Sequence, residues 1–590
     1  MTSDAETPNS QAAAAAARAG TGRVVRVNGP LVEVEGLEHA AVLDVIEIGH
    51  QALTAEITSV RDGLVTAQVY EYTGGLMAGD PAYARGHPLA ASLGPGLLGG
   101  IFDGLLRPLG SVSTWLTPGL LREREATTRW DFQPRATQGD VLQPGAVIGH
   151  IPSDSGVDHR VLLPPDVSGT LDWIAPASGL SDDEPVAELE GRKVYLREQW
   201  PVRAARPVRT RLELGEPLFT GQRIGDLLFP VARGASAAVP GGFGTGKTML
   251  LQQLVKWCDG DVVVFVGCGE RGNELADALA DLVALEDPRN GRPLLDRTVV
   301  IANTSNMPVM AREASIYTGM TVAEYYRDMG YDVVLLADST SRWAEALREF
   351  SSRNGELPVE EGFPAGLASA LAAFYERAGA VTTLGGDQGS ITVIGAVSPP
   401  GGDMTEPVTS QTERFVRCLW SLDRDLAYAR HYPAITWRRS FARDASVIGA
   451  WHESVGRPGW ATDRARGVAL LAEADRLAPV LELVGLQALP AKERVVVLAG
   501  RLLRDAVLQQ SALSKNDATC TLEKQTALLE MVLEIYDRCL DLVGRGVPVA
   551  SVEAVDLSGV SRVRDEVGSG DADGVRRRTV EVLAALAAIA

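Results

Sequence analysis

The sequence predicts a multidomain chain: an N-terminal β-barrel, a second β-rich section, a central α/β domain built on a phosphate-binding loop, and a C-terminal helical bundle. Three observations carry this. Short β-type runs separated by turn residues fill the first third; from about residue 206 apolar strands alternate with amphipathic helical patterns, as in a parallel sheet covered on both faces; beyond about 445 strand signals fade into helical spacing. The boundaries read from these shifts are 1–20 for a polar, Ala-rich tail expected to be disordered, 21–88 for the barrel, 89–206 for the connecting and second β section, 207–445 for the nucleotide-binding domain and 446–590 for the helices.

In the barrel region the runs are RVVRV, LVEVEG, VLDVIEIG, LTAEITSV and LVTAQVY, five in about 65 residues, divided by Gly, Asn-Gly or Asp-Gly turns. A Gly/Pro/Leu-rich stretch follows from Leu93 to Pro108. The next section carries a G-D-x-L-x-x-G-x-x-I-G rhythm, similar to the barrel of biotinyl and lipoyl carrier domains. Its one lysine, Lys193, lies at no hairpin tip that can be placed, so a structural or docking barrel is expected rather than a swinging arm.

The α/β pattern predicts a short strand at 235–239, a helix from Lys247 to Trp257, a strand Asp261 to Val266, a helix from Asn273 and a strand Thr298 to Ala302. A helix around Ala311 to Asp328, a strand Asp332 to Ala337, a helix near Leu367 to Ala378 and a strand Ser390 to Val397 complete it. In the C-terminal region Leu470, Leu471, Ala474 and Leu477, then Leu498, Leu502 and Leu503, then Leu528, Leu529, Val532, Leu533 and Tyr536 recur at helical spacing, indicating a bundle.

Composition narrows the function. A net charge of −20 in 590 residues weighs against nucleic acid as a partner, because polyphosphate binding draws on clustered cations. The five cysteines have no C-x-x-C spacing and read as reduced, buried thiols of a cytosolic protein. The amino terminus is acidic rather than leader-like, and no run of 18 uncharged apolar residues occurs, so work at a membrane would need other chains.

The chemistry gathers at three stations of the α/β domain. The first is Gly241-Gly242-Phe243-Gly244-Thr245-Gly246-Lys247-Thr248, which fits G-x-x-x-x-G-K-[ST]. Its glycines let the backbone wrap an anion, Lys247 would reach the terminal phosphates of ATP or ADP, and Thr248 would ligate Mg²⁺. With 61 glycines in the chain, Gly-rich loops arise by chance; one of only six lysines at the required place does not.

The second station is Gly267-Cys268-Gly269-Glu270-Arg271-Gly272-Asn273-Glu274, at the carboxyl end of the next strand. It contains a formal G-x-G-x-x-G, but a dinucleotide fingerprint would open its domain, and here a strand, phosphate loop and helix come first. Hydrolysis fits better: Glu270 would orient and polarise water for in-line attack, and Arg271 would meet the charge on the transferring group. The third station, Val333 to Asp338, is an apolar strand ending in an acid that would hold the Mg²⁺ hydration shell, followed by Ser-Thr-Ser-Arg342.

With these residues in place, the chain resembles the catalytic A (alpha) subunit of V-type and archaeal-type rotary ATPases and ATP synthases, over essentially everything but the tail. The resemblance is carried by Gly241 to Thr248, Val266 to Glu274, Ala337-Asp-Ser-Thr-Ser-Arg-Trp-Ala-Glu-Ala-Leu-Arg348, Phe374-Tyr-Glu-Arg-Ala-Gly379, Ala396-Val-Ser-Pro-Pro-Gly-Gly-Asp403 and Arg430-His-Tyr-Pro-Ala-Ile-Thr-Trp437. It implies a RecA-like P-loop core, and that the β section between Pro108 and Val208 is the inserted bulge domain of this type of chain. It implies that Glu270 activates the lytic water, Glu274 orients it from behind, Arg271 and Arg342 contact phosphate, and Tyr432 stacks on adenine.

It also implies an alternating A3B3 ring with a B-type subunit, central-shaft and peripheral-stalk subunits, and a membrane sector in other chains that moves H⁺ or Na⁺. The chain would then sit peripherally on the cytoplasmic face of a membrane, hydrolysing or making ATP. Two positions depart from the family's pattern: Thr245, where many eukaryotic relatives have cysteine, and Leu513 of Gln509-Gln-Ser-Ala-Leu513, where an aromatic is common. The rival readings are a ring-shaped motor for protein export or RNA, and a nucleotide-binding component with a structural role only.

Overall fold

The computed structural model describes residues 20–109 and 128–589. The tail expected at 1–20 lies outside these apart from its last residue, as does the stretch 110–127 of the connecting section. The described residues form two compact units, 20–109 and 128–212 with 260–395 and 406–411, and 213–259 with 396–405 and 412–589.

The first unit opens with a closed antiparallel barrel of Thr21–Asn28, Leu31–Glu35, Asp44–Ile48, Leu53–Arg61, Leu64–Val69 and Pro81–Pro88. Alternating residues such as Val32, Val34, Ile46, Ile48, Val65 and Ala67 point inward and are wholly buried, which fixes the register. The sequence runs account for five strands. The sixth, Pro81–Pro88, closes the barrel against Thr21–Asn28 and Asp44–Ile48. Its two terminal prolines and Gly86 hide it from any β-type pattern.

The Gly/Pro/Leu-rich stretch then supplies Ile101–Phe102, a parallel edge strand beside Thr298–Thr304. The turn after it is braced by Asp103, which accepts bonds from the amides of Leu105 and Arg107 at 3.0 and 2.8 Å.

The second β section is two four-stranded sheets around Phe132, Ile148, Leu171 and Val186. Lys193 is the second residue of strand Arg192–Tyr195, opposite Glu188, and stands off the hairpin turn. The section is fastened to the α/β part of its own unit. Tyr331 donates its hydroxyl to the Asp158 carbonyl at 2.7 Å and carries the Arg160 guanidinium 5.0 Å above its ring; Arg160 also pairs with Asp387 at 3.2 Å, and Tyr325 meets His159 Nε2 at 3.2 Å.

The α/β part of the first unit is a parallel sheet ordered Gln388–Val397, Asp332–Asp338, Val262–Glu270, Thr298–Thr304 and Ile101–Phe102. The strands are apolar and buried on both faces, as a covered parallel sheet requires. Helix Val309–Asp328 is buried nearly all round, so its charges are paired inside: Glu324 with Arg377 at 2.6 Å, and Glu313 with Arg203 at 2.5 Å. Arg203 uses its other terminal nitrogen on Glu56 of the barrel at 2.6 Å, tying barrel to helix. Helix Thr340–Arg353 begins straight after the strand carrying Asp338 and buries Trp343, Ala344 and Ala346. The strand-and-helix pattern of the sequence did not include it.

In the second unit, strand Ser236–Pro240 lies parallel to Cys418–Leu419, which pairs antiparallel with Phe441–Ala442. The C-terminal part is helical: Ala445–Ser454, Trp460–Val484, Ala491–Leu502, Leu522–Gly544, Val549–Glu553, Ser558–Glu566 and Ala572–Ala587. Leu470, Leu471, Ala474, Leu477, Leu528, Leu529, Val532 and Leu533 form its buried stripes. Among the described residues no helix is long and apolar enough to cross a membrane. All five cysteines are free and buried.

Candidate nucleotide site

The site residues singled out by the sequence fall into two groups, each carried by one unit. In the second unit, strand Ser236–Pro240 runs into the loop at Gly241, and helix Lys247–Trp257 begins at Lys247. Gly244 and Gly246 take left-handed backbone (φ +76° and +86°), which side-chain-bearing residues resist, and this turns the chain sharply before the helix. No side chain caps that helix, so the positive end of its peptide dipoles opens on the loop. Thr245 is buried and donates to the Gly242 carbonyl at 2.8 Å, pinning the loop. Lys247 Nζ rests on the carbonyls of Gly241 and Gly242 at 2.5 and 3.1 Å. Phe243 is 90% exposed, and Thr248 is exposed in the first helical turn.

Beside the loop is a cavity of about 380 Å³, reached past Gly246 and walled by Tyr432 and Pro433 on one side and Gln509 to Leu513 on the other. A carbon on Gly246 would stand 3.4 Å from the Tyr432 ring. The two walls are stitched by the Gln510 amide, which donates to the Tyr432 carbonyl at 2.7 Å. Leu513 stands at the rim, 94% exposed. The volume and the largely apolar walls with a few polar groups suit a nucleobase and sugar.

In the first unit, strand Val262–Glu270 ends in Glu270, whose carbonyl accepts the Ser305 amide at 2.9 Å, while Asp338 ends the adjacent strand opposite Gly267. Asp338 is 5% exposed. Gly269 (φ +72°) packs against Arg342 so closely that a Cβ there would stand 2.8 Å from that of Arg342. Arg342 pairs with Glu345 at 2.9 Å, and Arg271 with Glu274 at 3.7 Å in the open. Partial burial lowers the Arg342 pKa, but the Glu345 bond and charge, with Glu270 and Glu274 behind, outweigh it and hold the group above its usual value. Burial pushes the Cys268 thiol up to about 12, so this cysteine is inert.

Thr248 in the second unit carries an exposed hydroxyl and Asp338 in the first a buried carboxylate, each an oxygen group of the kind Mg²⁺ takes alongside phosphate and water. Sequence reading missed Glu345, which its i+3 spacing from Arg342 on a helix could have disclosed. It also missed Arg564 on the cavity wall, which no local pattern marks, and gave no role to Arg430, which opens the quoted stretch Arg430 to Trp437 and lines the same cavity.

Four family models match in order along the chain. They are the ATP synthase alpha/beta family β-barrel domain (24–86), the ATP synthase alpha/beta subunit barrel-sandwich domain (122–203), the ATP synthase alpha/beta family nucleotide-binding domain (221–442) and the C-terminal domain of V and A type ATP synthase (449–552). The V-type ATP synthase alpha chain of Anaeromyxobacter dehalogenans is 49% identical over 90% of this chain and 93% of its own length.

The chain belongs to the ATP synthase alpha/beta family. Within this family it groups with the alpha chains of V- and A-type enzymes. The V-type ATP synthase alpha chain of Halothermothrix orenii is 44% identical over 94% of this chain and 96% of its own, and the corresponding A-type ATP synthase chain of Methanopyrus kandleri 46% identical over 91% and 93%. A solved structure of the ATPase EscN from the type III secretion system of enteropathogenic E. coli superposes with a TM-score of 0.64 at 22% identity, covering 87% of this chain and all of that one. That likeness concerns the fold alone. The barrel-sandwich match falls on the section whose rhythm is similar to carrier domains, and Lys193 is off its hairpin tip.

Proposed function

We propose that this chain is the catalytic subunit of a V/A-type rotary ATPase or ATP synthase, which couples ATP hydrolysis or synthesis to shaft rotation and to H⁺ or Na⁺ transport by a membrane sector in other chains. The observation that carries this is the loop of left-handed glycines feeding an uncapped helix beside Lys247, with a nucleoside-sized cavity at Gly246. It is an anion site joined to a base site, and it belongs to a chain whose relatives over nine-tenths of its length are ATP synthase subunits.

In this reading the loop 241–248 binds the phosphates of ATP or ADP, and Lys247 leaves the two loop carbonyls to neutralise the terminal phosphates. Tyr432 stacks on the adenine. Thr248 and Asp338 would hold Mg²⁺, which would supply neutralisation of the charge on the transferring group. Glu270 takes the proton of the attacking water, Glu274 supports its orientation, and Arg271 and Arg342 stabilise phosphoryl charge. Against the effect of partial burial, the Glu345 bond and charge, with Glu270 and Glu274 behind, keep Arg342 cationic for that role.

The partners are a B-type subunit in an alternating A3B3 ring, a central shaft and a peripheral stalk, with the chain peripheral on the cytoplasmic face of the membrane. Transition-state charge in phosphoryl transfer commonly needs a further arginine supplied in trans. The isolated chain is therefore expected to turn over ATP poorly, and full activity without the partner would exclude a shared site. The decisive experiment is Glu270→Gln in the assembled complex. Turnover should fall by about two orders of magnitude or more with nucleotide binding retained; unchanged turnover would remove Glu270 as the base.

A further inference from the structure

One wall of the cavity beside the phosphate loop is held from far away in the chain. The carbonyl of Gln509 accepts from two guanidinium groups at once, Arg223 Nη2 at 2.5 Å and Arg564 Nη1. A carbonyl has two lone pairs, so the pair of charge-assisted donors saturates it and leaves its direction no freedom. Arg223 is fully buried, donates its Nε to the Val507 carbonyl at 2.7 Å and its amide to Gln510 Oε1 at 2.9 Å. The counter-ion is Asp517, also fully buried, which pairs with Arg223, lies 4.0 Å from Arg564 and accepts the Ser511 amide at 2.7 Å.

Arg564 reaches this point from helix Ser558–Glu566, whose end is itself pinned. Lys524 is fully buried, and its ammonium donates to the carbonyls of Arg564 at 2.8 Å, Val567 at 3.1 Å and Asn516 at 2.8 Å. A cation on the last carbonyls of a helix is favourable for the peptide dipoles as well as for the individual bonds. The Asn516 side chain answers by donating to the Asp565 carbonyl at 2.8 Å. One guanidinium therefore joins the cavity wall to a helix more than fifty residues further on, and Arg564 itself lines the cavity.

We propose that Arg564 is a positioning residue of the nucleoside pocket: with Arg223 it fixes the Gln509–Leu513 wall opposite Tyr432, and so links base binding to the seating of helix Ser558–Glu566. The proposal rests on the cavity being the nucleoside site. A base held between the two walls favours the arrangement in which the Gln509 carbonyl is gripped, and by reciprocity a gripped carbonyl favours the base. A purely structural arginine would stabilise the fold equally with the cavity empty or full.

The test uses the assembled complex with Arg564→Ala, Arg564→Lys and, as a control on the same helix, Arg562→Ala, whose side chain is 65% exposed and pairs with Glu566 at 3.3 Å. Losing one charge-assisted bond from the wall should raise KM for ATP and weaken ADP binding about tenfold while kcat changes little. Arg564→Lys, which keeps one donor, should recover most of this, and Arg562→Ala should match the wild type. In the wild type, saturating ADP should slow amide exchange across 558–567, and Arg564→Ala should abolish that slowing. If Arg564→Ala does not fold, Arg564→Lys and the wild-type exchange measurement still decide. Unchanged KM and ADP affinity in the variants, or ADP that leaves wild-type exchange untouched, overturns the proposal. A wild type that binds no ADP at all overturns it together with the nucleotide reading, which separates the two failures.

Discussion

Gly269 and Arg342 pack backbone against side chain, with room for no methyl group between them. The glycine sits one residue before Glu270 in a left-handed conformation, and the arginine is the one held cationic by Glu345. Gly269→Ala should therefore cost stability of about 1–2 kcal/mol through backbone strain and displace Arg342 from its place beside the Glu270 strand end. In the assembled complex the expected result is a fall in ATP turnover of at least about tenfold with ADP affinity preserved. Equal losses in binding and turnover would show that the packing serves the loop fold rather than catalysis.

The Arg203 bridge should be one of the more expensive side chains to remove from the first unit. Its carboxylate partners Glu56 and Glu313 are 2% and 6% exposed, so Arg203→Ala strands two buried negative charges. Breaking a buried pair from one side costs about 3–5 kcal/mol. Thermal or denaturant unfolding of the variant should show that loss, and Glu56→Gln on top of it should return part of the stability. A variant as stable as the wild type would mean that water reaches the pair.

The cavity rim offers a gain-of-function test. Leu513 gives the cavity an aliphatic edge opposite Tyr432, where the proposed function places the base. Leu513→Phe supplies a second aromatic face, and base stacking on such a face contributes about 1–3 kcal/mol. KM for ATP should drop several-fold, while Tyr432→Ala should raise it by a comparable factor. Isothermal titration with ADP checks both.

Acid stability has opposing contributions, two of which can be separated by substitution. Burial lowers His159 to about 4, so between its ordinary 6.5 and that value the unfolded chain takes up a proton that the folded chain refuses. Its contribution to stability is whole above pH 6.5 and is lost as pH falls to about 4, amounting to roughly 3 kcal/mol. Burial raises Asp226 from 3.8 to about 6, so in that window the folded chain is the proton-richer, and this group's contribution falls as pH rises. Unfolding midpoints measured from pH 4 to 6.5 should therefore depend less steeply on pH in His159→Gln and more steeply in Asp226→Asn. Parallel profiles would show that neither group is shielded from water.

Much of this fold is legible in the sequence because its strands are short, apolar and bounded by turn residues. Val262–Glu270 and Asp332–Asp338 advertise themselves through β-branched runs ending in Gly or Asp, and the phosphate loop has a fixed spacing that backbone chemistry imposes. Two of the elements that escaped did so for reasons of composition. Pro81–Pro88 has the wrong residues for a strand and is held by its partners, and Thr340–Arg353 is a charged, serine-rich helix whose buried apolar residues are Trp343, Ala344 and Ala346. Glu270, Asp338 and Arg342 can be named from their strand ends. Arg564 and Arg223 cannot, since what makes them matter is their convergence on a single carbonyl at Gln509.

The fastening of the second β section has a consequence for how the chain can be edited. Tyr325, Tyr331 and Asp387 belong to the α/β part, yet their side chains are spent on His159, Asp158 and Arg160. Excising the section would uncover a phenol pair and an orphaned acid rather than a finished surface. A homologue that never had the section should carry other residues at those three sites, so its presence or loss can be diagnosed from columns of an alignment more than a hundred residues away.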